Sequence, residues 1–362
     1  MTSLTPTSTM NGESKAMKRL TLLLAGAILL VTGCDKVGLF SNVGKTIVFQ
    51  SKSNVNATRT VYETNYTGTI QPINWVAGDV IRVYSPEAQC ANDNHWADYI
   101  VTPITTDLTK GTLSNANGNG LLAAAGEQNF FSIYPAPSSS AEAVVADGVA
   151  GKFSLTIPQA QLPGAEMEYA YMLASATANA GTNPITLYFN PAFTAFEFQV
   201  KAEADTKLVS VELMSESVPA ATTPSLVTGT ATAQYDATVS STNPAVDKYK
   251  YTAGTGNNSA KVTFPANTIL TTGTDYTFTV FALPVDQTGM TVSFTVAEPD
   301  GNQNRTFKLA LKYTNGEYLL FDACKKHRIK GLVAPRFSKI IEINSMQVID
   351  WNDAGSQEVD VH

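Results

Sequence analysis

The sequence predicts an all-β chain of sandwich type, and three observations lead there. Apolar residues recur with a period of two along several segments, the pattern of half-buried strands. Clusters of Gly, Pro, Asn and Asp punctuate those segments as turn formers. Helical periodicity is confined to short turns expected around Leu121 to Gly126 and Ala323 to Lys326.

The elements follow in order. "TIVFQ", Thr46 to Gln50, reads as a first strand. After the small-residue stretch "ASATANAGTN", Pro184 precedes a short strand from Ile185 to Phe189. "AFEFQVKAE" then sets Phe196, Phe198 and Val200 inward, and "LVSVELMSE" does the same with Val209, Val211 and Leu213. "TDYTFTVFALPV" places Tyr276, Phe278 and Val280 opposite Thr277 and Thr279. "MTVSFTVAEP" repeats the plan with Val292, Phe294 and Val296, and "RTFKLALKY" with Phe307, Leu309, Leu311 and Tyr313 against Lys308, Ala310 and Lys312. Turns fall at "GTGNN" and "EPDGNQN". The small-residue stretch before Pro184 marks a boundary, giving one domain over 46–184 and another over 185–362.

Composition limits the possible functions. A hydrophobic fraction of 44% supplies real cores, while charged residues make up only 15%, well below the usual ~25%. The net charge of −7, without a basic stripe, argues against a nucleic-acid partner.

The N-terminus carries a secretion plan. Lys18 and Arg19 precede an apolar run from Leu20 to Val31, and the small residues Thr32 and Gly33 follow. The run is shorter than the ~18 apolar residues of a spanning helix. Its end, Val31-Thr32-Gly33-Cys34, resembles the bacterial lipobox, in which the cysteine thiol receives diacylglycerol and becomes residue one. Residues 1–33 are then leader and signal peptide, with Met17 the expected initiator, and 34–45 a linker. The lipid on Cys34 is the only non-protein group expected; no cofactor is. Cys90 and Cys324 remain as a candidate disulfide, although sequence fixes no distance between them.

Catalytic signatures are lacking. "GLFSNVGKT" has five residues between Gly38 and Gly44 where a phosphate loop needs four, and it precedes a strand rather than a helix. His95, His327 and His362 stand far apart, in no metal-ligand spacing. Asp93, Asn94 and Asp98 near His95 read as a solvated loop before a cation site. Glu298, Asp300, Asn302 and Asn304 offer oxygens at a spacing hard cations use, but Asp300-Gly301 between alternating strands is a hairpin turn. No serine elbow, paired cysteine nucleophile or carboxylate pair stands out, so no enzyme is predicted.

An ordered set of strings carries a family resemblance: "IVFQSKSNVNATRTVYE", "INWVAGDVIRVYS", "FFSIYPAP", "EYAYMLASATA", "ITLYFNPAFTAFEFQV" and "HRIKGLVAPRF" followed by "VIDW". From about Lys45 to Trp351 the chain resembles the fimbrillin-like lipoproteins, the type V pilins and relatives of Gram-negative gut and oral anaerobes. The resemblance implies two consecutive β-sandwiches of transthyretin-like or Greek-key type. It implies delivery to the outer membrane as a lipoprotein, cleavage by an arginine-specific protease, and strand exchange with other fimbrial subunits. The matching cleavage site is Arg59-Thr60 in "NATRTVYE", and the donor is "KIIEINSMQVIDW" with its tail "NDAGSQEVDVH", where Ile341, Ile343, Met346 and Val348 alternate. A surface receptor on a host or another bacterium is a further implied partner. The competing reading is a monomeric glycan-binding lipoprotein whose aromatics Trp75, Trp96 or Tyr99 stack on sugar rings; core packing is the simpler role for such residues.

Overall fold

The computed structural model describes residues 43–53, 73–137, 147–163, 169–334 except 203, 219–220, 242, 244, 267, 298–303 and 314–315, then 345–349 and 357–359. The chain is all-β, and among the described residues the one helical turn is the 3-10 turn Gly148–Ala150. The turns expected at Leu121 to Gly126 and Ala323 to Lys326 are not helical. Leu122 instead bridges Thr46 and Gln89, and the second segment turns through Cys324 at φ 56°.

The first half contributes β1 (Phe49–Ser53), β2 (Val80–Tyr84), β3 (Trp96–Ile104), β4 (Asp107–Asn115), β5 (Glu127–Tyr134), β6 (Lys152–Ile157), β7 (Ala160–Gln161), β8 (Met172–Asn179) and β9 (Ile185–Pro191). Seven of them close a barrel in the order β1-β4-β3-β2-β5-β8-β9. The closing pair, β1 with β9, is its parallel one. The interior is aromatic. Phe49 meets Tyr99 and Phe130 edge-on at 5.2 Å each, and Trp75 meets Tyr134 at 5.4 Å and Phe189 at 5.1 Å, the T-shaped arrangement that ring quadrupoles favour.

The second half contributes β10 (Thr194–Ala202), β11 (Thr206–Ser215), β12 (Thr228–Tyr235), β13 (Tyr249–Asn257), β14 (Ser259–Thr263), β15 (Ile269–Leu270), β16 (Asp275–Ala282), β17 (Met290–Ala297), β18 (Asn304–Ala310), β19 (Lys326–Ala334), β20 (Ser345–Ile349) and β21 (Gln357–Val359). Two sheets, β16-β10-β19-β20-β21 and β18-β17-β11-β14-β7, share one core and form a sandwich. That core holds Phe196, Phe198 and Val200 from β10, with Val292, Phe294 and Val296 from β17, as the alternation predicts. On the other face of β10, buried Glu197 joins Lys326 and Arg328, tying β19 to its neighbour. Burial raises that carboxyl's pKa, but the two cations outweigh it and hold the group below its ordinary range.

Two expectations are corrected. β1 lies three residues further along than "TIVFQ", because Ile47 N and Thr46 are engaged by Leu121 and Leu122 outside the ladder. In β11 the register with β17 slips between Leu208 and Ser210, so Leu208 is buried and Val209 only partly so; the irregularity shifts the phase of alternation. The expected boundary at 184/185 falls between β8 and β9. β9 belongs to the barrel, and the small-residue stretch before it is mostly β8, whose Ala174 and Ala178 face the core. The two halves interlock further on: β6 pairs with β12 in the sheet β13-β12-β6, and β7 pairs with β14.

Candidate strand-exchange site

Within the barrel, β1 is the strand that precedes the expected cleavage site at Arg59. It runs antiparallel to β4 over Gln50 to Lys52 and parallel to β9 over Phe49 to Ser53. Its inward residues are Phe49, Ser51 and Ser53, at 0%, 1% and 1% exposure. Phe49 therefore supplies most of the strand's apolar burial, about 1.5–3 kcal/mol for a fully enclosed side chain. The two serines are satisfied by main-chain carbonyls. Ser51 Oγ donates to Gly111 O at 3.4 Å, and Ser53 Oγ reaches Ile73 O and Thr109 O. Main-chain ladders and one aromatic anchor hold β1 in place, with little apolar contribution from its second half.

Gly111 sets the closeness of the seat. A Cβ there would lie 2.6 Å from Val101 Cγ1 and 2.8 Å from Ser51 Oγ, so only glycine lets β1 approach β4 this tightly. Without β1, β4 and β9 would present two facing rows of unpaired backbone groups beside the Phe49 cavity. Such a groove is a template for an incoming strand.

The C-terminal strands lie at the opposite end of the topology. β20 pairs antiparallel with β19, matching Val348 to His327 and Met346 to Ile329, and β21 adds to β20. The segment expected to be a donor thus occupies the outer edge of its own chain's sheet, where its release would disturb no strand beyond it. Cys34, Arg59 and Thr60 lie outside the described residues, as do Glu298, Asp300 and Asn302 of the candidate oxygen cluster.

Other sequence candidates disperse. Cys90 and Cys324 are not joined; both are free. Cys90 Sγ points at the carbonyls of Trp96 and Asn119, 3.2 and 3.1 Å away, whereas Cys324 sits in the turn before β19, its N–H donating to Thr194 Oγ1. Burial pushes both thiols up, which keeps them protonated and unreactive. Trp75 and Tyr99 are core residues at 1% and 2% exposure, leaving only Trp96 of the three aromatics partly exposed. The Arg82 guanidinium lies 3.9 Å from the Trp96 ring and is itself held by Asp98. His95 Nδ1 sits between the carbonyls of Ser85 and Ala88, a loop-closing role.

Sequence reasoning missed the groove between β8 and β9. Ser, Ala and Thr alternate there without an apolar signal, and what gave no hint was a ladder that stops early: β8 and β9 pair only at Met172 with Pro191 and Leu173 with Asn190.

With this geometry in place, comparison with known proteins adds one firm point. No protein-family model and no curated protein sequence matches the chain. Among solved structures, a Bacteroides uniformis ATCC 8492 protein provisionally described as a cell adhesion protein aligns over 85% of this chain and 98% of its own, at 16% identity and a TM-score of 0.51. A similarly described protein of Bacteroides ovatus ATCC 8483 aligns over 86% and 99%, at 17% identity and a TM-score of 0.49. A fimbrial assembly protein of Parabacteroides distasonis ATCC 8503 aligns over 86% and 97%, at 9% identity and a TM-score of 0.38. The first likeness establishes a shared fold and, at its identity, nothing of role; the other two carry no further argument. At the level of fold, the first neighbour is consistent with the resemblance to fimbrillin-like lipoproteins.

Proposed function

We propose that the chain is a non-enzymatic, surface-directed subunit of the fimbrillin type that supports adhesion and assembles by β-strand exchange. In this reading lipid on Cys34 delivers it to the outer membrane, and cleavage at Arg59-Thr60 then frees the segment that carries β1. A strand from another subunit, drawn from the stretch containing β20 and β21, fills the vacated seat.

The observation that carries the reading is the place of β1. It precedes Arg59 in the chain, while the barrel's other described strands begin at Val80, so a cut there severs β1 from the barrel it completes. Afterwards non-covalent contacts alone would retain it, chiefly Phe49, the two ladders and the bonds of Thr46 and Ile47 to Leu121 and Leu122, and a strand with apolar residues at alternate positions competes for the same backbone groups. Treatment of the purified full-length chain with an arginine-specific protease tests this. SDS-resistant ladders are expected from the natural sequence and none from Arg59→Ala. Ladders in both, or a monomer after complete cleavage at Arg59, would overturn the proposal.

A further inference from the structure

We infer that the groove between β8 and β9 binds a terminal acidic sugar, a pyranose bearing a carboxylate. The groove has a volume of about 280 Å³ and opens to solvent; its walls include Ser175, Thr177, Thr186, Tyr188, Ser241 and Lys248. It exists because the β8–β9 ladder stops at Leu173 and Asn190. The next carbonyl, Ala174 O, is taken by the hydroxyl of Tyr249 at 3.1 Å.

Charge selects the ligand's sign. Lys248 makes no ion pair among the described residues, and neither does Lys52, whose ammonium lies 5.7 Å from the centre of the Tyr188 ring. Asp247, next to Lys248 in sequence, is occupied elsewhere: Tyr249 N donates to it at 3.0 Å and the Tyr251 hydroxyl at 2.8 Å. Asp236 is paired with Lys250. One lysine without an ion pair, Lys248, thus lines the groove, and a second, Lys52, stands beside the Tyr188 ring, in a chain whose net charge is −7.

Hydroxyl chemistry selects a sugar over a peptide. Ser175 and Thr186 make no side-chain hydrogen bond among the described residues, and Ser241 Oγ only accepts, from Asn243 N at 3.1 Å. Thr177 donates to Asn129 Oδ1 at 3.0 Å and keeps its acceptor lone pairs. Ser175, Thr186 and Ser241 can each still donate and accept, while Thr177 can only accept, a mixture that suits a ring carrying several hydroxyls. Tyr188 offers an aromatic face for the weakly positive C–H face of a pyranose. A bound peptide strand would need alternating deep apolar pockets, whereas here Ala176, Ala178, Pro184 and Ile185 are interspersed among a majority of hydroxyl-bearing wall residues. The volume falls just below the ~300–1,000 Å³ of ordinary small-molecule pockets, so a terminal monosaccharide fits and a long chain does not.

An open, salt-screened site of this kind binds weakly, and an array of copies would multiply the effect. That biological role rests on the adhesion reading; the binding is a property of the single chain. The test is saturation-transfer NMR on the uncleaved monomer, using the methyl α-glycoside of N-acetylneuraminic acid, methyl β-glucuronide, neutral methyl β-galactoside and a short glutamate peptide. The two acidic glycosides should bind, more weakly as salt rises. Affinity should fall roughly tenfold in Lys248→Gln and several-fold in Thr186→Val, with melting temperatures unchanged. Equal binding of the neutral glycoside or the peptide, or unchanged affinity in both variants, would overturn the inference. Because this assay needs no cleavage, its failure beside normal protease-induced ladders removes only the ligand assignment. Binding without ladders would instead sink strand exchange and leave the sugar site standing.

Discussion

His327 is fully enclosed, its ring centre 5.4 Å from that of Phe196 and 5.0 Å from that of Phe321. Nε2 must carry the hydrogen, since its partner at 3.1 Å is the Asp322 carbonyl, which can only accept; Nδ1 has no partner among the described residues. Burial therefore pushes the ring's pKa down to about 4, against the carbonyl's opposing pull and with a little help from Lys325. A base whose folded pKa is depressed contributes stability that is complete above its unfolded value near 6.5 and is lost as pH falls toward 4, roughly 3 kcal/mol in all. Asp247 works the other way. Burial pushes it up to about 6 despite three hydrogen bonds, so its contribution is present below the ordinary carboxylate range and lost as pH rises through 6. Since Asp247 is only half-buried by exposure, solvent screening makes it the weaker of the two. The opposition partly masks the histidine's effect in the wild type. Replacement of His327 by Gln isolates the first: between about pH 7 and pH 4.5 the variant's melting temperature should fall less than the wild type's. Parallel curves would refute the assignment. Nothing in "KKHRIK" signals this enclosure, because the two aromatics arrive from Phe196 and Phe321, remote in sequence or outside the strand.

Strand identity was legible where alternation was strong. β10, β16 and β17 have the inward residues that period-two reading assigns, because Phe and Val mark one face unmistakably. It failed where the inward residues are small or polar. β8 hides Ala174 and Ala178 in a run of Ala, Ser and Thr, and the second half of β1 buries serines that no hydrophobic pattern reveals. The irregularity at Val209 is invisible for a different reason: it depends on pairing with β17, a long-range contact. The seat of β1 makes a prediction at this scale. Gly111→Ala should destabilise the chain by about 1–3 kcal/mol, the usual cost of overpacking. Its effect should be focused on β1, so amide exchange at Phe49 to Ser53 should accelerate more than in β5 or β8. Uniform acceleration, or none, would mean that β1 is not held by close approach to β4.

At the scale of the whole molecule, the barrel and the sandwich are not beads on a string. β6 and β7 leave the first half to pair with β12 and β14 of the second, and Gln161 caps the edge of β16 by bonding both Phe281 O and Phe281 N at 2.8 and 2.9 Å. The two domains expected from the small-residue stretch before Pro184 are joined by crossing strands, β6 and the two-residue β7, that left no composition shift to read. This interlock gives the strand-exchange account its physical basis. Removing β1 would open one groove in a body otherwise braced from both halves, and β20 and β21 lie at a sheet edge from which they can leave without unpicking the core. The most direct measurement is N-terminal sequencing with intact-mass analysis of the protein recovered from its native cell surface. The account predicts a chain beginning at Thr60. A chain beginning at acylated Cys34, recovered only as a monomer, would contradict it.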